Sequence, residues 1–161
     1  KTKDTDISAY YTLSWTDRLF EGIWHDWYPA RNDNRHKFTV NATHRFGKRF
    51  EMYMAWNYHS GDRMTVPTQI IGGEVYYTSP YNYKMPDYHR LDLGFNFRKT
   101  TRRGNESIWN LTIYNAYCRM NPMFTMLDHY RRSYEDEEYV TTFKTMAAIP
   151  IIPSFNYTLR F

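Results

Sequence analysis

The 161 residues suffice for one ordinary domain, and a mean hydropathy of −0.78 with no long apolar run excludes membrane-spanning helices, which need ~20 such residues. Membrane-spanning strands are not excluded, because only their alternate residues face lipid and an averaged scale hides them; aromatics are 19% of the chain. A single cysteine, Cys118, rules out an internal disulfide framework and a cysteine-based zinc site, and a formal charge of +4 on scattered basic residues argues against a nucleic-acid surface.

The N-terminal KTKDTD has neither an initiating Met nor a signal-peptide pattern. Residues 7–15 then place Ile7, Ala9, Tyr11, Leu13 and Trp15 on one face and Ser8, Tyr10, Thr12 and Ser14 on the other. That period of two is what a strand with one apolar and one wet face requires. After a long connection, 16–37, residues 38–46 set Phe38, Val40, Ala42 and Phe46, with His44, opposite Thr39, Asn41, Thr43 and Arg45. Gly47, Lys48 and Arg49 make a tight turn into residues 50–58, where Phe50, Met52, Met54, Trp56 and Tyr58 oppose Glu51, Tyr53, Ala55 and Asn57.

A second long connection, 59–90, leads to residues 91–98, where Leu91, Leu93, Phe95 and Phe97 oppose Asp92, Gly94, Asn96 and Arg98. The short polar turn KTTRRGNESI, in which Gly104 supplies a positive φ, leads to residues 109–114, with Trp109, Leu111 and Ile113 opposite Asn110, Thr112 and Tyr114. The third long connection, 115–153, holds two further β-like pieces, 123–130 and 139–146, expected to pair around the acidic tip Tyr134-Glu135-Asp136-Glu137-Glu138. Pro150 and Pro153 lack backbone donors, so the ladder is expected to break just before the last strand. In that strand, 154–161, Phe155, Tyr157, Leu159 and Phe161 oppose Ser154, Asn156, Thr158 and Arg160.

The pattern is all-β, with six strands and no convincing helix. Short and long connections alternate, as they do in transmembrane barrels with short periplasmic turns and long extracellular loops; a soluble sandwich prefers short connections throughout. With the last residue on the periplasmic side, both short turns fall in the periplasm and all three long loops outside. Six strands are too few to close around packed side chains, and an open sheet in lipid leaves costly unpaired edges. Either the pattern misses two strands or residues 1–161 are one piece of a larger transmembrane antiparallel β-barrel; the piece is favoured, as the C-terminal segment ending at Phe161 and a mature or partial product of a longer polypeptide.

Four stretches carry a family resemblance. The aromatic-rich strand ending in Phe155, Tyr157, Leu159 and Phe161 resembles the insertion signal of bacterial outer-membrane barrels. Trp27-Tyr28-Pro29-Ala30-Arg31-Asn32-Asp33-Asn34-Arg35-His36 resembles a loop-to-strand segment of TonB-dependent outer-membrane transporters of the Bacteroidetes type. Met85-Pro86-Asp87-Tyr88-His89-Arg90-Leu91-Asp92-Leu93 is similar to another such lead-in, and residues 109–122 (WNLTIYNAYCRMNP) to the penultimate strand and its exit, departing by Cys118 where Asn is usual. The matches span nearly the whole chain in the right order.

The resemblance implies a roughly 22-stranded barrel around an N-terminal plug domain, with this chain supplying the last six strands. It implies active uptake of a scarce nutrient across the Gram-negative outer membrane, with no enzymatic step and no cofactor. It also implies contact with outer-membrane lipid, with the remainder of the barrel and the plug, and with TonB through an N-terminal region outside this sequence. A surface lipoprotein lid over the loops is left open. The rivals are a small complete outer-membrane barrel acting as anchor or adhesin, and a soluble Tyr-rich carbohydrate-binding β-sandwich.

No catalytic constellation stands out. His25, His36, His44, His59, His89 and His129 lack metal-ligand spacing, and the 135–138 acidic run lacks the calcium-loop pattern, so no metal site is expected. Trp24, Trp27 and Tyr28 in the first long connection, and Tyr76, Tyr77, Tyr81, Tyr83 and Tyr88 in the second, are read either as interfacial girdle or as platforms for an arriving ligand. Arg45, Glu51, Asp92, Arg98 and Arg160 fall on the wet face, where charges of both signs suit a lumen or a plug.

Overall fold

The computed structural model describes residues 4–72, 74–131, 139–147 and 149–161. In chain order its strands are β1 (Thr5–Leu13), β2 (Asp17–Phe20), β3 (Trp24–Pro29), β4 (His36–Phe46), β5 (Phe50–His59), β6 (Arg63–Met64), β7 (Gln69–Ile71), β8 (Glu74–Tyr76), β9 (Tyr83–Lys84), β10 (Tyr88–Thr100), β11 (Glu106–Tyr114), β12 (Pro122–Arg131), β13 (Tyr139–Ala147) and β14 (Ile152–Arg160). There is no helix among the described residues.

The six strands read from the sequence pair as one antiparallel sheet in the order β1-β4-β5-β10-β11-β14, each beside its neighbour in the series. The turn from β4 to β5 has Gly47 at φ 72°, and the turn from β10 to β11 has Gly104 at φ 87°, where a side chain would be strained. The second turn is closed by the Asn105 carbonyl accepting from the Thr101 amide at 2.8 Å. Pairing extends to Thr100 and Glu106, so the turn itself spans 101–105. Both turns lie at one end of the sheet, and the three long connections leave from the other.

Each long connection carries hairpins of its own: β2 with β3, β6 with β9, β7 with β8, and β12 with β13. The last pair was legible in the sequence; its acidic tip, 134–138, lies outside the described residues. The strand bounds shift modestly. Trp15 lies beyond β1, and Pro153 sits inside β14 opposite Ile113 instead of breaking the ladder. Pro153 is only the second residue of β14, near the start of the strand, where a missing donor is tolerated.

Register turns the alternation into two faces. On one, Phe46, Phe50, Phe97, Trp109 and Tyr157 run across five strands near the turn end. Ring centroids are 5.2 Å apart for Phe46 and Phe50, 4.5 Å for Phe50 and Phe97, and 4.9 Å for Trp109 and Tyr157. Further along the same face, Ile7, Ala42, Met54, Leu93, Ile113 and Pro153 form an aliphatic row. Beyond it, toward the loop end, Tyr11, Phe38 and Tyr58 form a second aromatic row, with Trp56 stacked on Tyr58. Much of this face is open: Ile7, Phe38, Phe97, Trp109 and Phe155 are all exposed.

The opposite face is polar and cross-linked. The space left by the missing side chain of Gly94 is filled by the Tyr53 ring from β5.

Candidate functional site

The polar face is bonded strand to strand near its turn end. Arg45 Nε donates to Glu51 at 3.0 Å, Asn96 Nδ2 to the other Glu51 oxygen at 3.2 Å, and Asn110 Nδ2 to Asn96 at 2.6 Å. Four strands are thus tied by one row of side chains, each with a satisfied partner. Arg98 lines a small recess with Arg45, Lys48, Arg49 and Glu51, and Arg160 reaches Glu106 at 3.4 Å across the β11–β14 pair.

Toward the loop end, Arg90 of β10 dominates the same face. Its Nε and Nη2 grip Asp92 at 3.0 and 2.8 Å, and its Nη1 donates to the hydroxyls of Tyr88 at 3.0 Å and Tyr114 at 2.5 Å. The guanidinium also lies 4.1 Å from the Tyr114 ring centroid, so it is held both in plane and over a π face. Tyr88, Arg90 and Tyr114 wall a cavity of about 140 Å³ that Asn115, Asn121 and Met123 close from the third long connection. The guanidinium is thus pre-organised, with most of its N–H groups already engaged by Asp92, Tyr88 and Tyr114.

Above this cavity the long connections are tied to the strand ends by short polar side chains. Asn115, only 1% exposed and at φ 54°, accepts from the Arg119 amide at 3.1 Å and donates to the carbonyls of Arg119 and Ile149. Its own amide donates to Asp92 at 3.0 Å. Asn121 brackets His89, accepting from its amide at 3.1 Å and donating to its carbonyl at 2.9 Å. Asn tolerates the left-handed conformation because its short amide can bond locally.

A second anchor joins the first and second long connections. Asn34 Nδ2 donates to the Ser60 carbonyl at 2.7 Å and to Asp62 at 2.6 Å, while the buried Asp33 carboxylate takes the Thr16 amide at 3.2 Å and Arg63 Nε at 3.3 Å. A third anchor is Asp87, which accepts from Tyr58 at 2.7 Å and from the Gly61 amide at 2.9 Å and pairs with Lys84 at 3.2 Å. Burial opposes its charge, but the Tyr58 hydroxyl, the Gly61 amide and Lys84 together hold its carboxyl below the ordinary carboxylate range. Gly61 has no room for a side chain: a Cβ there would stand 1.7 Å from the Met85 carbonyl oxygen.

The loop aromatics do not converge. Trp27 is 69% exposed, whereas its neighbour Tyr28 is 4% exposed, with its ring 6.3 Å from Tyr81. Trp24 lies against His25, Tyr83 stacks on Phe143 at 5.7 Å, and Tyr76 and Tyr77 are open to solvent. Tyr28, Tyr81 and Tyr83 therefore bind the loops to each other, and Trp27, Tyr76 and Tyr77 are the free surfaces. The sequence reading singled out none of Asp33, Asn34, Ser60, Asn115 or Asn121 as a site. Their one signal was position, since short Asn, Asp and Ser side chains flanking strand ends bond backbone readily.

No group of three His, Cys, Asp or Glu side chains able to hold a metal ion occurs among the described residues. No protein-family model, curated protein or solved structure matches this chain.

Proposed function

We propose that this sheet is a sector of the wall of an outer-membrane β-barrel, and that the protein is a TonB-dependent transporter taking up a scarce nutrient. The observation that carries the reading is the banding of one face: an aromatic row, an aliphatic row and a second aromatic row, with mixed apolar rows through Phe95 and Trp56 between them. The rows through Phe50 and Tyr58 are separated by about 27 Å of strand, or roughly 20 Å of height at a tilt of about 40°. Barrels carry a similar apolar band flanked by aromatic girdles. The bonded polar face opposite suits a wet or plugged lumen, and the division of short turns from long connections suits periplasm and exterior.

Among the described residues β1 and β14 are the outermost strands of the sheet, which suits a sector of a larger barrel, since an unpaired edge in lipid leaves unsatisfied backbone groups. A two-sheet sandwich would need a second sheet over the apolar face, and the other sheets among the described residues are two-stranded hairpins of the long connections. The step from barrel to TonB-dependent uptake rests on the segments around Trp27–His36 and Met85–Leu93 and on residues 109–122, which supply the buried Asp33, Asn34 and Asn115 and the Asp87 clamp. No covalent chemistry is involved.

The test is to fractionate the native cells, measure the intact mass of the polypeptide, and compare uptake with and without TonB. A heat-modifiable outer-membrane protein much heavier than 19.6 kDa, with uptake lost without TonB, is the expected result. A water-soluble protein refutes the barrel; a membrane protein near 19.6 kDa refutes the transporter.

A further inference from the structure

Beside the Arg90 cavity, and separated from it by Met123, lies a second cavity of about 230 Å³ between the first, second and third long connections. Its polar lining is Arg31, Arg63 and Thr65; its apolar lining is Met64, Met85, Met123, Phe124 and Tyr81. We propose that this cavity binds the carboxylate end of an apolar ligand, such as a peptide C-terminus, with Arg31 as the primary anion contact.

The charge balance favours an anion. Asp33 is shared between Arg35 at 3.6 Å and Arg63 at 3.3 Å, so its charge is already engaged, and Arg31 has no carboxylate partner among the described residues. Arg31 is also placed firmly at its backbone, where its carbonyl accepts from the Arg63 amide at 2.8 Å. One engaged guanidinium and one unengaged guanidinium therefore border the same space, with the Thr65 hydroxyl beside them. A planar carboxylate is the acceptor that a guanidinium fork matches.

The rest of the lining selects for an apolar body. Thioethers adapt to irregular apolar shapes, and Met85 is buried. A neutral sugar is best held by side-chain carboxylates or amides that accept its hydroxyl protons, and none lines this cavity among the described residues. The volume is below the ~300–1,000 Å³ typical of sites that enclose a whole small ligand, so the cavity takes one end of a longer molecule.

This inference deepens the transport reading by naming a ligand chemistry, and it is tested independently of membrane location. Calorimetric titration of the intact purified protein would use N-acetylphenylalanine, its uncharged amide and maltoheptaose as probes. The carboxylate should bind at least about tenfold more tightly than the amide, and Arg31→Gln should remove that preference while Arg31→Lys keeps most of it. The thermal midpoint should be unchanged in both variants, because Arg31 holds no ion pair among the described residues. Equal affinity for acid and amide, tighter binding of maltoheptaose, or an Arg31→Gln protein that still prefers the acid would each overturn the proposal. A water-soluble protein that binds the acid would leave this site standing and remove only the membrane reading.

Discussion

The Tyr53 ring lies directly against Gly94 across the β5–β10 pair, so that a Cβ at position 94 would stand 1.7 Å from ring carbon Cε1. A glycine that leaves the polar face without a side chain is thereby covered by an aromatic from the neighbouring strand, which restores packing and fixes register. Gly94→Ala forces the ring aside and should cost about 1–3 kcal/mol. Combined with Tyr53→Ala it should cost less than the sum of the two single changes, because the clash needs both groups. Unfolding midpoints of the four proteins in the cycle, measured in detergent, give the answer, and strict additivity would mean that the two side chains do not meet.

Facing can be tested by paired substitutions. Leu93 lies in the aliphatic row and Thr112 on the polar face. On the barrel reading, Leu93→Arg should impair membrane assembly by about 2–4 kcal/mol, while Thr112→Arg should be tolerated. Leu159→Arg should fall between them, because Leu159 lies beyond the Trp109–Tyr157 row, where the cost of charge declines. Equal assembly of the Leu93 and Thr112 variants would contradict the assignment of faces.

Asn115 separates two contributions. Asn115→Gly keeps access to φ 54° but loses the side-chain bonds to Arg119 and Ile149, whereas Asn115→Ala loses both. The glycine variant should be destabilised by about 1–3 kcal/mol and the alanine variant by about 1–2 kcal/mol more. Limited proteolysis of the 115–121 segment should rank the three proteins in the same order.

Acid should release the Asp87 clamp. Since hydrogen bonds and Lys84 hold this carboxyl below its ordinary value, the folded protein keeps the charge to lower pH than the unfolded chain does. Its stabilising effect is therefore complete above the unfolded value and is lost as pH falls through the folded one. Asp87→Asn should lower the thermal midpoint at neutral pH and flatten its decline as pH falls below about 4, the ordinary range of an unfolded Asp. A mutant whose acid limb parallels the native one would show that other carboxylates govern that limb.

Alternation alone was enough to place β1, β4, β5, β10, β11 and β14 and both tight turns, because a strand with unlike faces must repeat every two residues and a turn at positive φ selects glycine. Their order followed as well, since each strand in an antiparallel meander pairs with the next. The long connections were a different matter. Trp27 and Tyr28 are adjacent and chemically alike, yet one is exposed and the other buried, a distinction that arises only when Tyr81 is brought to Tyr28 from 53 residues away. Asn34 and Ser60, or Asn115 and Ile149, meet in the same manner, through single hydrogen bonds with no periodicity to announce them. The sequence determined the strands because their pattern is local and repeated. Only the tertiary structure decided the rim, where each contact joins two distant segments once.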